Sequence, residues 1–252
     1  MRTACILLST YNGARFLDVQ IRSLLQQRGC DVSILVRDDG STDGTLALLQ
    51  QYAQLDPRIS VIAGANVGVV QSFFQLLQQA PEGRDGYFFC DQDDYWHEDK
   101  VGAALEALSS CAGGGPLLYC SRLRYVDERG QLLGLSPHSS CVGLPNALVE
   151  NVAIGCTMAL NGPARAAIQR ALPTSAIMHD WWCYLVVSSI GEVIYDPTPR
   201  IDYRQHSSNT VGAGVTQAQI WVRRIRQRLK RSRGAVTRAE RQRCCYACIR
   251  TR

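Results

Sequence analysis

The stretch that most constrains this chain is Tyr87-Phe88-Phe89-Cys90, an apolar run that stops in Asp91-Gln92-Asp93-Asp94, three carboxylates within four residues. Bounded by Gly86 before it and an acidic turn after it, the run reads as a buried strand. Carboxylates at the carboxyl end of such a strand stand where open α/β sheets bind their ligands. Crowding the charges costs free energy unless a cation or hydrogen-bond donors compensate. Two readings of the residues stay open. Asp91 and Asp93, two apart, converge on one hard cation that prefers oxygen ligands, or the segment is a solvated turn that opens a helix near Glu98.

That strand is the fourth in an alternating series. Residues 4–9 form the first, and Thr10-Tyr11-Asn12-Gly13 turns into a helix over 14–27 carried by Phe16, Val19, Ile21, Leu24 and Leu25. Residues 32–36 form the second strand, which also runs into acid at Asp38 and Asp39. Ser41, Thr42 and Asp43 are candidate caps for a helix over 44–53. Residues 59–63 form the third, and Asn66-Val67-Gly68 leads into a helix through Phe73, Phe74, Leu76 and Leu77. The alternation predicts an α/β fold with a doubly wound, mostly parallel sheet. Neither G-x-G-x-x-G nor G-x-x-x-x-G-K-[ST] occurs, which argues against a Rossmann dehydrogenase and a P-loop nucleotidase. The second half is less regular. Residues 117–126 read as a strand, Asp127-Glu128-Arg129-Gly130 as a hairpin turn, 134–147 as a loop, 154–160 as a strand and 163–171 as a helix. Asp180 reads as the cap of an apolar helix over 181–190.

No apolar run approaches the roughly 18 residues of a membrane span, and the N-terminal apolar stretch is too short for a signal peptide. Eleven scattered cysteines suggest free thiols in a reducing compartment, and Cys245 and Cys248 lack the second pair that a zinc site needs. Charge is divided sharply. Residues 220–252 hold twelve Arg and Lys against one acid, Glu240, while the remainder carries fifteen basic residues against twenty-one acidic ones. Trp221, Ile225 and Leu229 lie four apart among arginines. That is the pattern of a helix lying on an anionic membrane surface, or of a solvated basic end. The acidic body, with no recognised binding module, speaks against nucleic acid as a partner.

The blocks "STYNG", "QIRSLLQQ", "VRDDGSTDGT", "NVGVVQSF", "FFCDQDDYW" with Lys100, "HDWW" and "YRQHSSN" follow one another over about residues 4–210. In this order they resemble the family 2 glycosyltransferases of the GT-A fold, in particular their bacterial rhamnosyltransferase-like branch. The resemblance implies a GT-A domain over 1–215, with a nucleotide-sugar half (1–95) and an acceptor half (96–215); the basic tail over 216–252 lies beyond what it covers. It implies an inverting transfer of a sugar, L-rhamnose from dTDP-L-rhamnose as the leading choice, onto a glycan or lipid-linked acceptor in cell-surface polysaccharide synthesis. The alternatives are another sugar, such as glucose or galactose from UDP, or a catalytically inactive nucleotide-sugar-binding subunit of a glycan-assembly complex. The Q-x-x-R-W motif of processive synthases is absent, so a single transfer is expected.

By the same resemblance, Thr10, Tyr11, Asn12 and Asp39 bracket the nucleotide base, with Asp39 accepting the imide N–H of uracil or thymine. Asp91 contacts ribose or donor sugar, and Asp93 and His206 hold Mg²⁺ or Mn²⁺ against the diphosphate. Arg204 pairs a phosphate. Asp180 is the base for the acceptor hydroxyl, its pKa raised beside Trp181 and Trp182, which also offer an apolar face to a sugar. Without the resemblance, Asp180 is simply a helix cap and His206 a surface loop residue. The expected location is cytoplasmic, peripheral on the inner face of the cytoplasmic membrane.

Overall fold

The computed structural model describes residues 1–111 and 113–206. The basic tail, with Trp221, Ile225, Leu229 and the pair Cys245 and Cys248, lies outside the described residues. The chain runs β1 (Arg2–Thr10), α1 (Ala14–Leu25), β2 (Cys30–Asp38), α2 (Thr45–Leu55), β3 (Ile59–Ala63), α3 (Val69–Gln79), β4 (Gly86–Cys90), β5 (Tyr95–Trp96) and α4 (Lys100–Ser110). It continues through β6 (Leu117–Ser121), β7 (Arg124–Val126), β8 (Leu132–Leu135), α5 (Leu144–Ala147), β9 (Ala159–Leu160), α6 (Gly162–Arg170), α7 (His179–Ile190), β10 (Glu192–Asp196) and β11 (Ile201–Arg204).

Seven strands form the main sheet in the order β10-β6-β9-β4-β1-β2-β3, parallel except at β9. Alternation along β1 divides the core. Ala4, Ile6 and Leu8 face a layer that includes Leu17, Ile21 and Leu24 of α1, while Cys5 and Leu7 face Phe73 and Leu77 of α3 and the apolar residues of α7. Side chains on successive strand residues point to opposite faces, so a central strand apolar at every position needs a helical layer on each side. Removing a buried Leu from either layer would cost about 2–5 kcal/mol.

The reversed strand β9 is what shapes the site. It pairs antiparallel with both neighbours, Ala159 opposite Phe88 and Tyr119, and Leu160 opposite Tyr87 and Leu118. Its direction brings the preceding 3₁₀ turn, Gly155–Thr157, to the same sheet edge as the carboxyl end of β4. A second sheet, β5-β11-β7-β8, stands beside that edge. Pairing of Ile201 with Trp96 and Asp202 with Tyr95 returns β11 to the acidic turn.

Four expectations are corrected. On α1 the buried face is Leu17, Gln20, Ile21, Ser23 and Leu24, and Val19 is exposed, because the stripe facing the sheet runs one residue out of phase with the apolar count. Residues 117–126 are two strands in different sheets, parted at Arg122, whose N–H bonds the Asp196 carbonyl and whose guanidinium bonds Ser136 O. Residues 154–160 are a 3₁₀ turn and a two-residue strand. Residues 134–147 carry the end of β8 and the short helix α5. Among the described residues, no helix is long and apolar enough to cross a membrane.

Candidate active site

The carboxyl ends of β1, β2 and β4 meet at one edge, and side chains fasten their turns together. Asn12 is the one non-glycine among the described residues with positive φ, at 49°, a conformation Asn tolerates. Its N–H donates to Ser41 Oγ at 2.9 Å, and its Oδ1 accepts from Thr42 N–H at 2.8 Å. Thr10 is buried, with its hydroxyl 3.2 Å from Asp38 Oδ1. Tyr11 is exposed, and Gln92 grips its backbone on both sides: Oε1 accepts Tyr11 N–H at 2.8 Å and Nε2 donates to Tyr11 O at 3.1 Å. Gly13 is required by this clamp, since a Cβ there would lie 2.2 Å from Gln92 Oε1. Gln92, the residue between Asp91 and Asp93, had no signal of its own in the sequence, because its partners are backbone atoms 81 residues away.

Asp38 and Asp39 are each held by three donors. Asp38 accepts from Thr10 Oγ1, Ser41 Oγ and Ser41 N–H. Asp39 pairs with buried Arg37 and accepts from Val67 N–H and Gly68 N–H, both at 2.9 Å. Arg37 is itself bonded to Gln75 Oε1 and Ala65 O. Of the residues named for the nucleotide, Asp39 is therefore 3% exposed and anchors the entry of α3, while Tyr11 and Asn12 are open to solvent. Asp43 holds the start of α2 by accepting from Thr45 N–H at 2.9 Å.

The turn after β4 is built differently. Asp93 Oδ2 lies 2.8 Å from His206 Nε2, and Asp93 O accepts from Arg204 Nε at 2.9 Å. Arg204 N–H donates to Asp94 Oδ1 at 3.1 Å, and its Nη1 donates to Glu128 O at 2.8 Å. The His206 ring stacks on Phe16 of α1 with centroids 5.2 Å apart, and Arg204 lies 5.0 Å over the same ring. β11 and the two residues after it thus bring Arg204 and His206 against the acidic turn. Burial, then the neighbouring charges of Asp93 and Asp180, pushes the Asp91 carboxyl well above the usual carboxylate range. Burial raises Asp94 likewise, reinforced by Asp93 and Asp91.

Asp180 faces this edge from α7. The helix begins at His179 with Met178 outside it, so Asp180 is a first-turn residue and not the cap. Its Oδ2 accepts Gly155 N–H at 2.9 Å, and its Oδ1 accepts Trp181 N–H at 2.6 Å. Burial pushes its carboxyl up to about 6, although both backbone donors favour the charged form. Trp181 and Trp182 are core residues, 8% and 3% exposed, and Trp181 Nε1 donates to Ala147 O, so neither presents a face for a sugar. His179 stacks on Phe73 at 4.0 Å, and burial holds its pKa down at about 3, which keeps it neutral.

The carboxylate oxygens of the acidic turn suit a hard divalent ion. Asp93 Oδ2 offers one beside His206 Nε2, and among the described residues the donor atoms of Asp91, Asp94 and Cys156 lie within 4.8 Å of one another. Among the described residues, no hydrogen-bond donor meets the Asp91 carboxylate.

Residues 5–129 match the model of the family described as Glycosyl transferase family 2. Among curated proteins, the chain is similar to a dTDP-rhamnosyl transferase RfbG of Shigella flexneri, at 26% identity over 83% of this chain and 75% of that protein. It is also similar to a putative teichuronic acid biosynthesis glycosyltransferase TuaG of Bacillus subtilis, at 34% identity over 42% of this chain and 43% of that protein. Among solved structures, it resembles S. aureus TarS 1-349 in complex with UDP-GlcNAc, with a TM-score of 0.63 and 17% identity over 83% of this chain. A second is a mannosyltransferase of Pyrobaculum calidifontis in complex with GDP-Man and Mn²⁺, with a TM-score of 0.58 and 17% identity over 82% of this chain. The chain spans 60% and 58% of these two solved chains.

Proposed function

The chain belongs to the family 2 glycosyltransferases and has their GT-A fold, and from that premise we propose that it transfers a single sugar with inversion from a pyrimidine nucleoside-diphosphate donor. The leading donor is dTDP-L-rhamnose, and the acceptor a glycan or lipid-linked glycan of a surface polysaccharide. The similarity to a dTDP-rhamnosyl transferase supports rhamnose, and the similarity to a teichuronic acid glycosyltransferase supports polysaccharide assembly. The reaction takes place at the cytoplasmic face of the membrane, which the basic tail meets. One observation carries the reading: Asp180, its oxygens held by Gly155 N–H and Trp181 N–H, shares an edge with the acidic turn, and its charge bears on Asp91.

Residues 1–95 supply the nucleotide side and 96–215 the acceptor side. Thr10, Tyr11, Asn12 and Asp39 frame the base; Asp39 Oδ2 accepts only Gly68 N–H and so retains lone-pair capacity for an imide N–H. Asp91 orients ribose or donor sugar, and Arg204 pairs a diphosphate oxygen. Asp93 and His206 would hold Mg²⁺ or Mn²⁺, which when bound neutralises charge on the departing diphosphate. Asp180, ionised above about pH 6, takes the proton of the acceptor hydroxyl as that oxygen attacks the anomeric carbon. Gly155 N–H and Trp181 N–H fix its oxygens for the task.

A thermal-shift panel of UDP, dTDP, GDP, CDP and ADP, each with and without Mn²⁺, tests the reading. A metal-dependent shift confined to dTDP and UDP, and lost in Asp93→Ala, is expected, with dTDP ahead if rhamnose is the donor sugar. No shift with any nucleoside diphosphate would overturn it.

A further inference from the structure

One buried polar side chain beside Asp180 has no part in the chemistry above. His179, the first residue of α7, is 3% exposed, and neither ring nitrogen has a hydrogen-bond partner. Leaving a buried polar ring unpaired is destabilising, so the fold alone gives no reason for it. The ring is also fixed. It stacks on Phe73 with centroids 4.0 Å apart and lies edge-on to Phe89 at 5.1 Å, and both phenylalanines are 1% exposed. Gly155 sits in the notch between this ring and Asp180. A Cβ at 155 would lie 2.8 Å from His179 Nε2, 3.4 Å from its Cε1 and 3.5 Å from Asp180 Cβ. Gly155 is not among the glycines with positive φ, so room, not backbone conformation, requires glycine here. A free side chain would turn aside from so close an approach, but the packed phenylalanines leave His179 nowhere to turn.

We infer that His179 is a positioning residue for Asp180 and acts through Gly155: the wedged ring is the stop against which Gly155 rests, and Gly155 aims its N–H at the carboxylate. The path runs contact by contact. Phe73 and Phe89 hold the ring, His179 Nε2 abuts Gly155, and Gly155 N–H donates to Asp180 Oδ2 at 2.9 Å. Trp181 N–H holds the other oxygen from within α7, so Gly155 fixes the carboxylate from outside its own helix. Histidine suits the task because its five-membered ring is flat and short. A phenyl ring along the same line would reach further and strike Gly155, and an aliphatic side chain would not stack. That Asp180 takes a proton rests on the function proposed above; the seat made by His179 and Gly155 does not.

A double-mutant cycle on the full chain tests this, with Gly155→Ala, His179→Ala and both together. The first adds a Cβ where the ring leaves no room; the second removes the ring and makes that room. Two quantities are read with Mn²⁺ present. One is the melting temperature, and the other the release of dTDP from dTDP-L-rhamnose and of UDP from UDP-glucose, with water standing in for the acceptor hydroxyl. Gly155→Ala is expected to melt lower and, at saturating donor, to release nucleotide roughly tenfold more slowly or worse, with the donor KM within about twofold of the parent. In the His179→Ala background the same change is expected to raise the melting temperature and recover part of the rate, because the new Cβ refills the gap. Equal losses in both backgrounds would overturn the inference. So would a Gly155→Ala protein that melts lower yet turns over like the parent, or a loss confined to KM, which would move the effect to donor binding. If Gly155→Ala fails to fold, a double variant that folds and outpaces His179→Ala sustains the inference, and an unfolded one overturns it. A parent that releases nucleotide from neither donor, while its variants still couple in melting, would sink the transfer reading and leave the seat standing.

Discussion

β2 and β4 both end in acid, but their surroundings are opposite. Asp38 and Asp39 meet hydroxyls, backbone N–H groups and a buried guanidinium. Among the described residues, Asp91 meets no donor to its carboxylate, and Asp94 Oδ2 has no hydrogen-bond partner. A carboxylate held by several donors from within holds a turn in place; one left short, beside like charges, is costly unless something arrives to compensate it. Strand-end acid is therefore not one signal but two, and the hydrogen-bond donors around it tell them apart.

Asp180 lies between these extremes, with two backbone donors and a raised pKa, and it offers the largest effect. Asp180→Asn should lower transfer by roughly 10²- to 10⁴-fold while nucleotide-dependent melting shifts persist. The sign of its pH dependence is fixed. Protonated below about 6, the carboxyl cannot take a proton, so the rate of the parent should climb as pH rises through about 6 and level off above. A kcat profile flat from pH 5 to 8, or a variant with undiminished transfer, would remove Asp180 from the chemistry.

At the end of β2 the damage should fall on stability. Asp39→Ala leaves the Arg37 guanidinium buried beside two orphaned N–H groups, and breaking such a pair costs about 3–5 kcal/mol. Urea unfolding is the measurement. A loss below about 1 kcal/mol would mean that water reaches Arg37, and that this acid is less structural than its contacts indicate.

How far the sequence could be read follows the same division. The first half was legible because apolar strands alternate there with helices of eleven or twelve residues, long enough to show their period, and because polar turns mark the junctions. Where it misled, on α1, Gln20 and Ser23 are buried by hydrogen bonds, with Gln20 Nε2 on Cys90 Sγ and Ser23 Oγ on Gln20 O. An apolar count cannot register those. The second half yields strands of two to five residues, too short for periodicity, and the break at Arg122 depends on carbonyls remote in sequence. Trp181 and Trp182 looked like a sugar platform because aromatics beside an acid occur in both settings; only packing assigns them to the core. The acids, Arg204 and His206 were legible as a set, through the order of the blocks. The Gln92 clamp and the Asp91–Asp94–Cys156 cluster were not, since the first is made with the Tyr11 backbone and the second by the reversal of β9.

The smallest expected effect is the sharpest test of the contrast. Asp91→Asn replaces a carboxylate that no donor satisfies, so in metal-free buffer the variant should be more stable than the parent. Burial raises the folded-state pKa of Asp91 above its unfolded value, so the folded chain binds the extra proton. That contribution to stability is complete below the unfolded pKa near 4 and is lost as pH rises through the raised one. The advantage of the variant should therefore grow between pH 5 and pH 8, to on the order of 1–2 kcal/mol by linkage. Urea titrations of both proteins in EDTA at the two pH values measure it, and Mn²⁺ with dTDP should reverse the order, since only the parent keeps the full charge facing the ligand. An Asp91→Asn protein less stable than the parent at pH 8 would show the β4 acid to be held as firmly as Asp38, and the contrast between the two strand ends would fail.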